Sequence, residues 1–211
     1  MIVALSLLTS LALHAEPRWE LAADPPGVKV YSRSKEGSEV KEMRAIGLIQ
    51  GSPKEVWDVV RDLENYPTQM PYTAEVKVLS RTEGDKEVWF YSRLNTPLVS
   101  ERDYVIILKD ESDWKEDLKG FYKVTWTAAP EKETDEKVAL KKDVVRVRVN
   151  DGYWLLEPRE NGTQTFATYY VYTNPGGSIP TFIINKANGM AVPKVFDAIK
   201  ETVAKKRKEK K

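Results

Sequence analysis

The sequence predicts an α+β protein: an antiparallel sheet of about nine strands, closed at its C-terminal end by one long helix. Three observations carry this expectation. β-type segments joined by short turns fill most of the chain between Val28 and Thr173, and short connections imply antiparallel pairing. A helix-start signal, Ser52-Pro53-Lys54-Glu55, interrupts them once, after the second strand. The one long amphipathic helix beyond residue 65 lies between Gly176 and Val203. Many strands closed by an apolar-faced helix suggest a gripped cavity. A gripped cavity without catalytic machinery suggests a greasy cargo.

Composition narrows the chemistry. At 211 residues the chain is one domain, with short appendages at most. Lys and Arg number 33 against 32 Asp and Glu, so overall charge lends no support to a nucleic-acid partner. There is no cysteine, which excludes disulfides, thiolate metal sites and a cysteine nucleophile. The single histidine, His14, lies in the first fifteen residues. Once that segment is removed the chain has neither Cys nor His, so the usual zinc and iron ligands and the Ser-His-Asp triad are missing. No catalytic residue, metal or cofactor is expected.

Met1 to Ala15, MIVALSLLTSLALHA, carries no charged side chain. It is shorter than the roughly 20 apolar residues a membrane span needs. It reads as the apolar region of a secretory signal cleaved after Ala15, which places the mature protein in a periplasm or outside the cell. A mis-assigned start codon (hence a cytoplasmic protein) or a short membrane anchor are the alternatives. The domain then spans residues 16–204, followed by a basic tail, residues 205–211.

The elements follow in order. Residues 28–33 and 40–50 read as strands around a Glu36-Gly37-Ser38 turn. Ser52 caps a helix with Pro53 at its first position, and Glu55 reaches back; Val56, Val59, Val60 and Leu63 share one face. Pro67 should end it. Strands follow at 75–81, 86–94, 103–109 and 121–127, with Glu83-Gly84-Asp85 turning between the first two. Residues 131–142 are charged and read as a loop or frayed helix. In 144–149, Val145, Val147 and Val149 alternate with Arg146 and Arg148. Asn150-Asp151-Gly152 reads as a turn into 153–158, and Asn161-Gly162 as a two-residue hairpin into 163–173. In the final helix, Val192, Phe196, Ile199 and Val203 form the apolar stripe, preceded by Phe182, Ile183, Ala187 and Met190. Pro193 predicts a kink or break against Gly189.

Three segments resemble the START (steroidogenic acute regulatory-related lipid transfer) domain of the Bet v 1-like helix-grip superfamily. They are VWDVVRDLENYPTQMP from Val56 to Pro71, LVSERDYVIIL from Leu98 to Leu108, and GGSIPTFIINKANGMAVPKVFDAIKETV at the end. The resemblance covers residues 18–204. It implies a curved antiparallel sheet wrapped around the C-terminal helix, a tunnel for one lipid-like ligand, and movement of that helix and nearby loops to admit it. Sterol-binding members carry a second arginine where this chain has Leu108, and its acidic partner would fall near Trp89. The lipid class therefore stays open.

Strand parity supplies candidate ligand-binding residues. Asp103 and Lys109 share a face expected to meet solvent, which turns Arg102, Tyr104, Ile106 and Leu108 toward the concave side. Arg102 there either pairs with an acid such as Glu101 or meets a ligand headgroup. Phe90, Ser92 and Leu94 join it, as do Tyr122, Val124 and Trp126, then Val145 and Val147, with Phe182 and Met190 from the closing helix. Ordinary core is the alternative for each. The face of Tyr169, Tyr170 and Tyr172 is not decided by parity, and Leu98 and Val99 are candidates for the cavity mouth. The tail from Lys205 to Lys211, KKRKEKK, either complements the helix dipole or touches an anionic membrane transiently. The partner expected is thus a lipid-like small molecule. Two other functions remain open: an enzyme like the superfamily's polyketide cyclases and dehydratases, or an interaction module with a filled cavity.

Overall fold

The computed structural model describes residues 17–96, 100–116 and 118–209. The segment read as a signal, the mouth residues Leu98 and Val99, and the last two lysines lie outside the described residues. The described residues form ten strands: β1 (Glu20–Ala23), β2 (Lys29–Lys35), β3 (Ser38–Gln50), β4 (Thr73–Arg81), β5 (Glu87–Leu94), β6 (Glu101–Asp110), β7 (Tyr122–Ala128), β8 (Val144–Arg146), β9 (Val149–Arg159) and β10 (Gln164–Asn174). The helices are α1 (Pro53–Val60), α2 (Tyr66–Gln69), α3 (Glu131–Lys137) and α4 (Thr181–Glu209). Strand β1 had no counterpart in the sequence reading.

One open sheet runs β1-β2-β3-β10-β9-β7-β6-β5-β4, and neighbours along that path are antiparallel. The exception is β8, which pairs with β6 in parallel. The sheet curls around α4, with α1 lying on the same face. Val56, Val59 and Val60 of α1 and Val192, Phe196, Ile199 and Val203 of α4 share one buried cluster with Ala45, Ile49, Val88, Val124, Leu156 and Ala167 of the sheet. The α4 spacing of 4, 3 and 4 residues is that of a single helical face.

The start of α1 is built as the sequence requires. Ser52 Oγ accepts from the Glu55 N–H at 3.3 Å, and Glu55 Oε2 accepts from the Ser52 N–H at 2.8 Å. The helix ends at Val60, earlier than expected; Leu63 sits in a separate 3-10 turn, and Pro67 lies in the first turn of α2, where its missing N–H costs nothing.

Three local expectations are corrected. Asn150-Asp151-Gly152 is no turn, because β9 runs straight through it. A Cβ on Gly152 would stand 2.2 Å from the Trp126 ring and 2.4 Å from the Tyr170 carbonyl, so this glycine marks a close approach, not a reversal. Between β9 and β10 the loop is four residues, since Arg159 pairs with Gln164; Asn161 and Gly162 still supply the positive φ angles. Finally, α4 passes Pro193 unbroken. The proline costs about 3 kcal/mol locally. Burying Val192 and Phe196 on either side of it contributes about 1.5–3 kcal/mol each, which is enough to carry the helix past it.

The outer face of the sheet is not all solvent. Tyr91, Val105 and Ala129 form a second core with Leu79, Trp89, Ile107 and Val138, which lies just beyond α3. Asp103, expected in water, is buried there. It receives Arg146 Nε at 2.6 Å and Nη2 at 3.1 Å. Arg146 also bonds Asp135 of α3 at 3.0 Å and reaches the Val138 carbonyl.

Candidate ligand-binding site

Strands β5 and β6 place the central candidates. Leu94 faces Arg102, Ser92 faces Tyr104, Phe90 faces Ile106 and Val88 faces Leu108. Parity therefore predicted this ladder correctly. Its far end is core: Phe90, Ile106 and Leu108 belong to the main cluster, as does Val124 of β7. Its near end is polar.

Three phenols converge beside that polar end, from three distant elements. Tyr104 projects from β6, Tyr169 from β10 and Tyr66 from α2, where its hydroxyl donates to the Val60 carbonyl at 2.5 Å. Burial pushes the pKa of all three above the ordinary phenol range. The nearby Tyr104 phenol raises Tyr66 and Tyr169 further. Each of the three residues is half-buried and packs against the main core. Ser92 Oγ lies near enough to lower the Tyr104 pKa against burial, yet no well-formed hydrogen bond joins it to a partner. The Tyr104 and Tyr169 hydroxyls stay protonated at neutral pH and can donate to a ligand oxygen, whereas that of Tyr66 is already given to Val60.

Aromatic rings wall the phenols. Tyr169 stacks on Trp154 at 4.6 Å and on Trp126 at 5.8 Å, and Phe196 of α4 meets Trp154 at 5.6 Å. Trp126 Nε1 donates to Asn150 Oδ1 at 3.1 Å, so its polar atom is satisfied and its ring face is presented. Phe90 meets Tyr104 edge-on at 6.5 Å.

The remaining candidates separate. Tyr122 is sandwiched between Trp57 at 5.2 Å and Trp114 at 4.7 Å, a stack that tethers α1. Val145 pairs with Arg102 across the parallel β6–β8 ladder, and Val147 is buried. Phe182 and Met190 are corrected: they are 72% and 57% exposed, on the outside of α4. The helix turns Ile184 and Val192 inward instead, because Asn185 and Asn188 bond the strand edges and set its rotation. Arg102 is 5% exposed and donates to the Ser100 carbonyl. Its suggested acid Glu101 is taken by Arg93 at 2.7 Å.

Sequence reasoning missed Tyr66, Trp154 and Tyr169. Trp154 sat in a segment read as strand with no face assigned, and three tyrosines in four residues hid the parity of Tyr169. Pairing resolves it: Tyr169 joins Ala45 and Trp154 inward, while Tyr170 joins Arg44 outward. An open groove of about 400 Å3 between α2 and α4, lined by Thr68, Met70, Lys194 and Glu201 among others, has mixed polar walls that do not suit an acyl chain. Among the described residues no group of three or more His, Cys, Asp or Glu could hold a metal.

A curved antiparallel sheet gripping a C-terminal helix around an aromatic, hydroxyl-bearing face defines a START-type domain. Residues 49–200 match the family model described as polyketide cyclase / dehydrase and lipid transport, and the chain belongs to that family. It is 33% identical over 168 residues to an uncharacterized protein of Pseudomonas aeruginosa, covering 79% of this chain and 77% of that one. It is 29% identical over 178 residues to phosphatidylcholine transfer protein of Mus musculus, covering 83% and 78%. Among solved structures, a STAR-related lipid transfer protein from Xanthomonas axonopodis superposes with a TM-score of 0.76 at 30% identity, over 88% of this chain and 98% of the other. Human StAR-related lipid transfer protein 5 gives 0.76 at 18% identity over 90% and 88%, a likeness of fold alone.

Proposed function

We propose that this protein binds one hydrophobic or amphipathic lipid-like molecule between its sheet and α4 and carries it without chemical change. The observation that carries this reading is the meeting of Tyr66, Tyr104 and Tyr169 beside Ser92 on an apolar, aromatic face. A few fixed donors in an otherwise greasy wall suit an amphiphile. The lipid-transport relatives support it.

Acid–base catalysis on a polyketide is the second reading, and the family description keeps it open. It is disfavoured by charge. Every described carboxylate with a resolved shift is shifted down, and the phenols are shifted up, so neither set offers a base or acid poised near neutral pH.

We also propose that the exposed Lys205 and Lys208 make transient contact with anionic membranes. The other two described basic residues of the tail are engaged: Lys206 with Asp62 at 2.6 Å and Arg207 with Glu55 at 3.5 Å. A periplasmic or secreted location completes the proposal, resting on the sequence of residues 1–15.

Native mass spectrometry of protein purified from its host, with extraction of bound lipid and an uptake assay from vesicles, tests the reading. A lipid-sized adduct and uptake are expected. Protein that emerges dry and takes nothing from vesicles would instead establish a filled interaction module.

A further inference from the structure

Two arginines sit on adjacent strands with opposite electrostatic fates. Arg146 on the outer face is buried and fully paired, with Asp103, Asp135 and the Val138 carbonyl around it. Arg102, one residue before Asp103 on β6, turns to the inner face and is 5% exposed. No acidic side chain meets it among the described residues. One Nη atom donates to the Ser100 carbonyl, and Nε has no partner. Desolvation is the only influence on its pKa, which is lowered, so no neighbouring carboxylate offsets the burial.

Described neighbours of Arg102 include apolar and small residues. Leu94 and Val145 flank it on β5 and β8. Gly177, in the connection from β10 to α4, lies above it; even a Cβ there would stand 3.8 Å from Nη2. Two residues further along β6, on the same face, come Tyr104 and its partner Ser92. A buried cation without a counter-charge is unfavourable in the ligand-free protein. Unsatisfied buried donors in native folds call for an occupant. Guanidinium planes match the paired oxygens of carboxylates and phosphates.

We propose that Arg102 is the counter-charge for the ligand, so that the lipid carried is an amphiphile with an anionic carboxylate or phosphate head, seated beneath Gly177 with Tyr104 and Ser92 donating next to it. This rests on the lipid-carrier reading above and specifies its substrate class. It accounts for the contrast between the two arginines: the outer one is neutralised by the chain, the inner one by the cargo.

The experiment presents vesicles doped with oleic acid, dioleoylphosphatidylglycerol, dioleoylphosphatidylcholine or dioleoylglycerol to the wild-type protein, Arg102→Met and Arg102→Lys. Bound lipid is counted by native mass spectrometry. The wild type should prefer the charged heads over the uncharged dioleoylglycerol by roughly tenfold, and Arg102→Met should lose that preference while still taking dioleoylglycerol. Arg102→Lys should keep part of it. Uptake of oleic acid alone assigns a carboxylate head, and uptake of the phospholipids alone assigns a phosphate. Ligand-free Arg102→Met should melt about 2–4 °C higher than the wild type, since a merely structural arginine would give the opposite sign. Equal uptake of dioleoylglycerol and charged lipids by the wild type, or an unchanged preference in Arg102→Met, overturns this inference and leaves the carrier function standing. No uptake of any lipid by the wild type overturns both. The wild-type preference needs no variant, so a misfolded Arg102→Met would still leave the proposal decided.

Discussion

Asn185 of α4 acts as a strand partner for Lys41 of β3: its Oδ1 accepts from the Lys41 N–H at 2.9 Å. Its Nδ2 donates to the Glu39 carbonyl at 3.1 Å, so one side chain satisfies the backbone on both sides of Val40. Pairing of β3 with β10 has its last pair at Met43–Val171, and Asn185 takes over where that ladder stops. Thr181 adds a bond to Glu39 at 2.9 Å. The first turns of α4 are latched by polar groups, while the later turns are held by the buried Phe196, Ile199 and Val203.

Replacing Asn185 with Ala should therefore loosen only the start of the helix. We expect a loss of about 1–2 kcal/mol in urea unfolding for two neutral hydrogen bonds. Lipid exchange between vesicles, followed by fluorescence, should accelerate. Asn185→Asp keeps the acceptor but loses the donor, and should fall between the two.

The Asp103–Arg146 pair predicts an asymmetry. Asp103→Asn leaves the Arg146 charge short of its main partner in the interior and should cost about 3–5 kcal/mol. Replacing both, as Asp103→Leu with Arg146→Met, removes the uncompensated charge and should recover most of that loss. A double-mutant cycle on urea midpoints reads the difference.

Glu42 predicts a pH dependence. Burial acts to raise its pKa, but hydrogen bonds from Arg33 and from Tyr170 at 2.6 Å outweigh it and hold the carboxyl below its ordinary range. A carboxylate depressed by folding stabilises the protein above its unfolded value of about 4.3. That contribution is lost as the pH falls from there through the folded value. Glu42→Gln should flatten the acid limb of the stability curve, and an unchanged limb would exclude Glu42 as its source.

Gly152→Ala should be costly for an inward strand position. The new methyl would meet the Trp126 ring at 2.2 Å and the fixed Tyr170 carbonyl at 2.4 Å. A loss of about 1–3 kcal/mol is expected, the range for overpacking. Displacement of Trp126 from Tyr169 should also change tryptophan fluorescence, whereas Gly84→Ala, strained by its positive φ but with no ring nearby, should not.

By itself the sequence determined what repeats over short distances. Period-two alternation placed Arg102, Tyr104, Ile106 and Leu108 on one face, and Ser52-Pro53-Lys54-Glu55 started α1, because side-chain direction and capping depend on a few bonded neighbours. Tertiary structure alone decided what crosses each face. The α3 segment buried Asp103, the Trp126 ring kept β9 straight through Gly152, and asparagine bonds turned Phe182 and Met190 outward. It alone brought Tyr66 to Tyr104 and Tyr169, and it alone left Arg102 buried without an acid among the described residues while Arg146 found two. Burial and counter-charge are set by chain segments far apart in sequence, and no local pattern encodes which of them will meet.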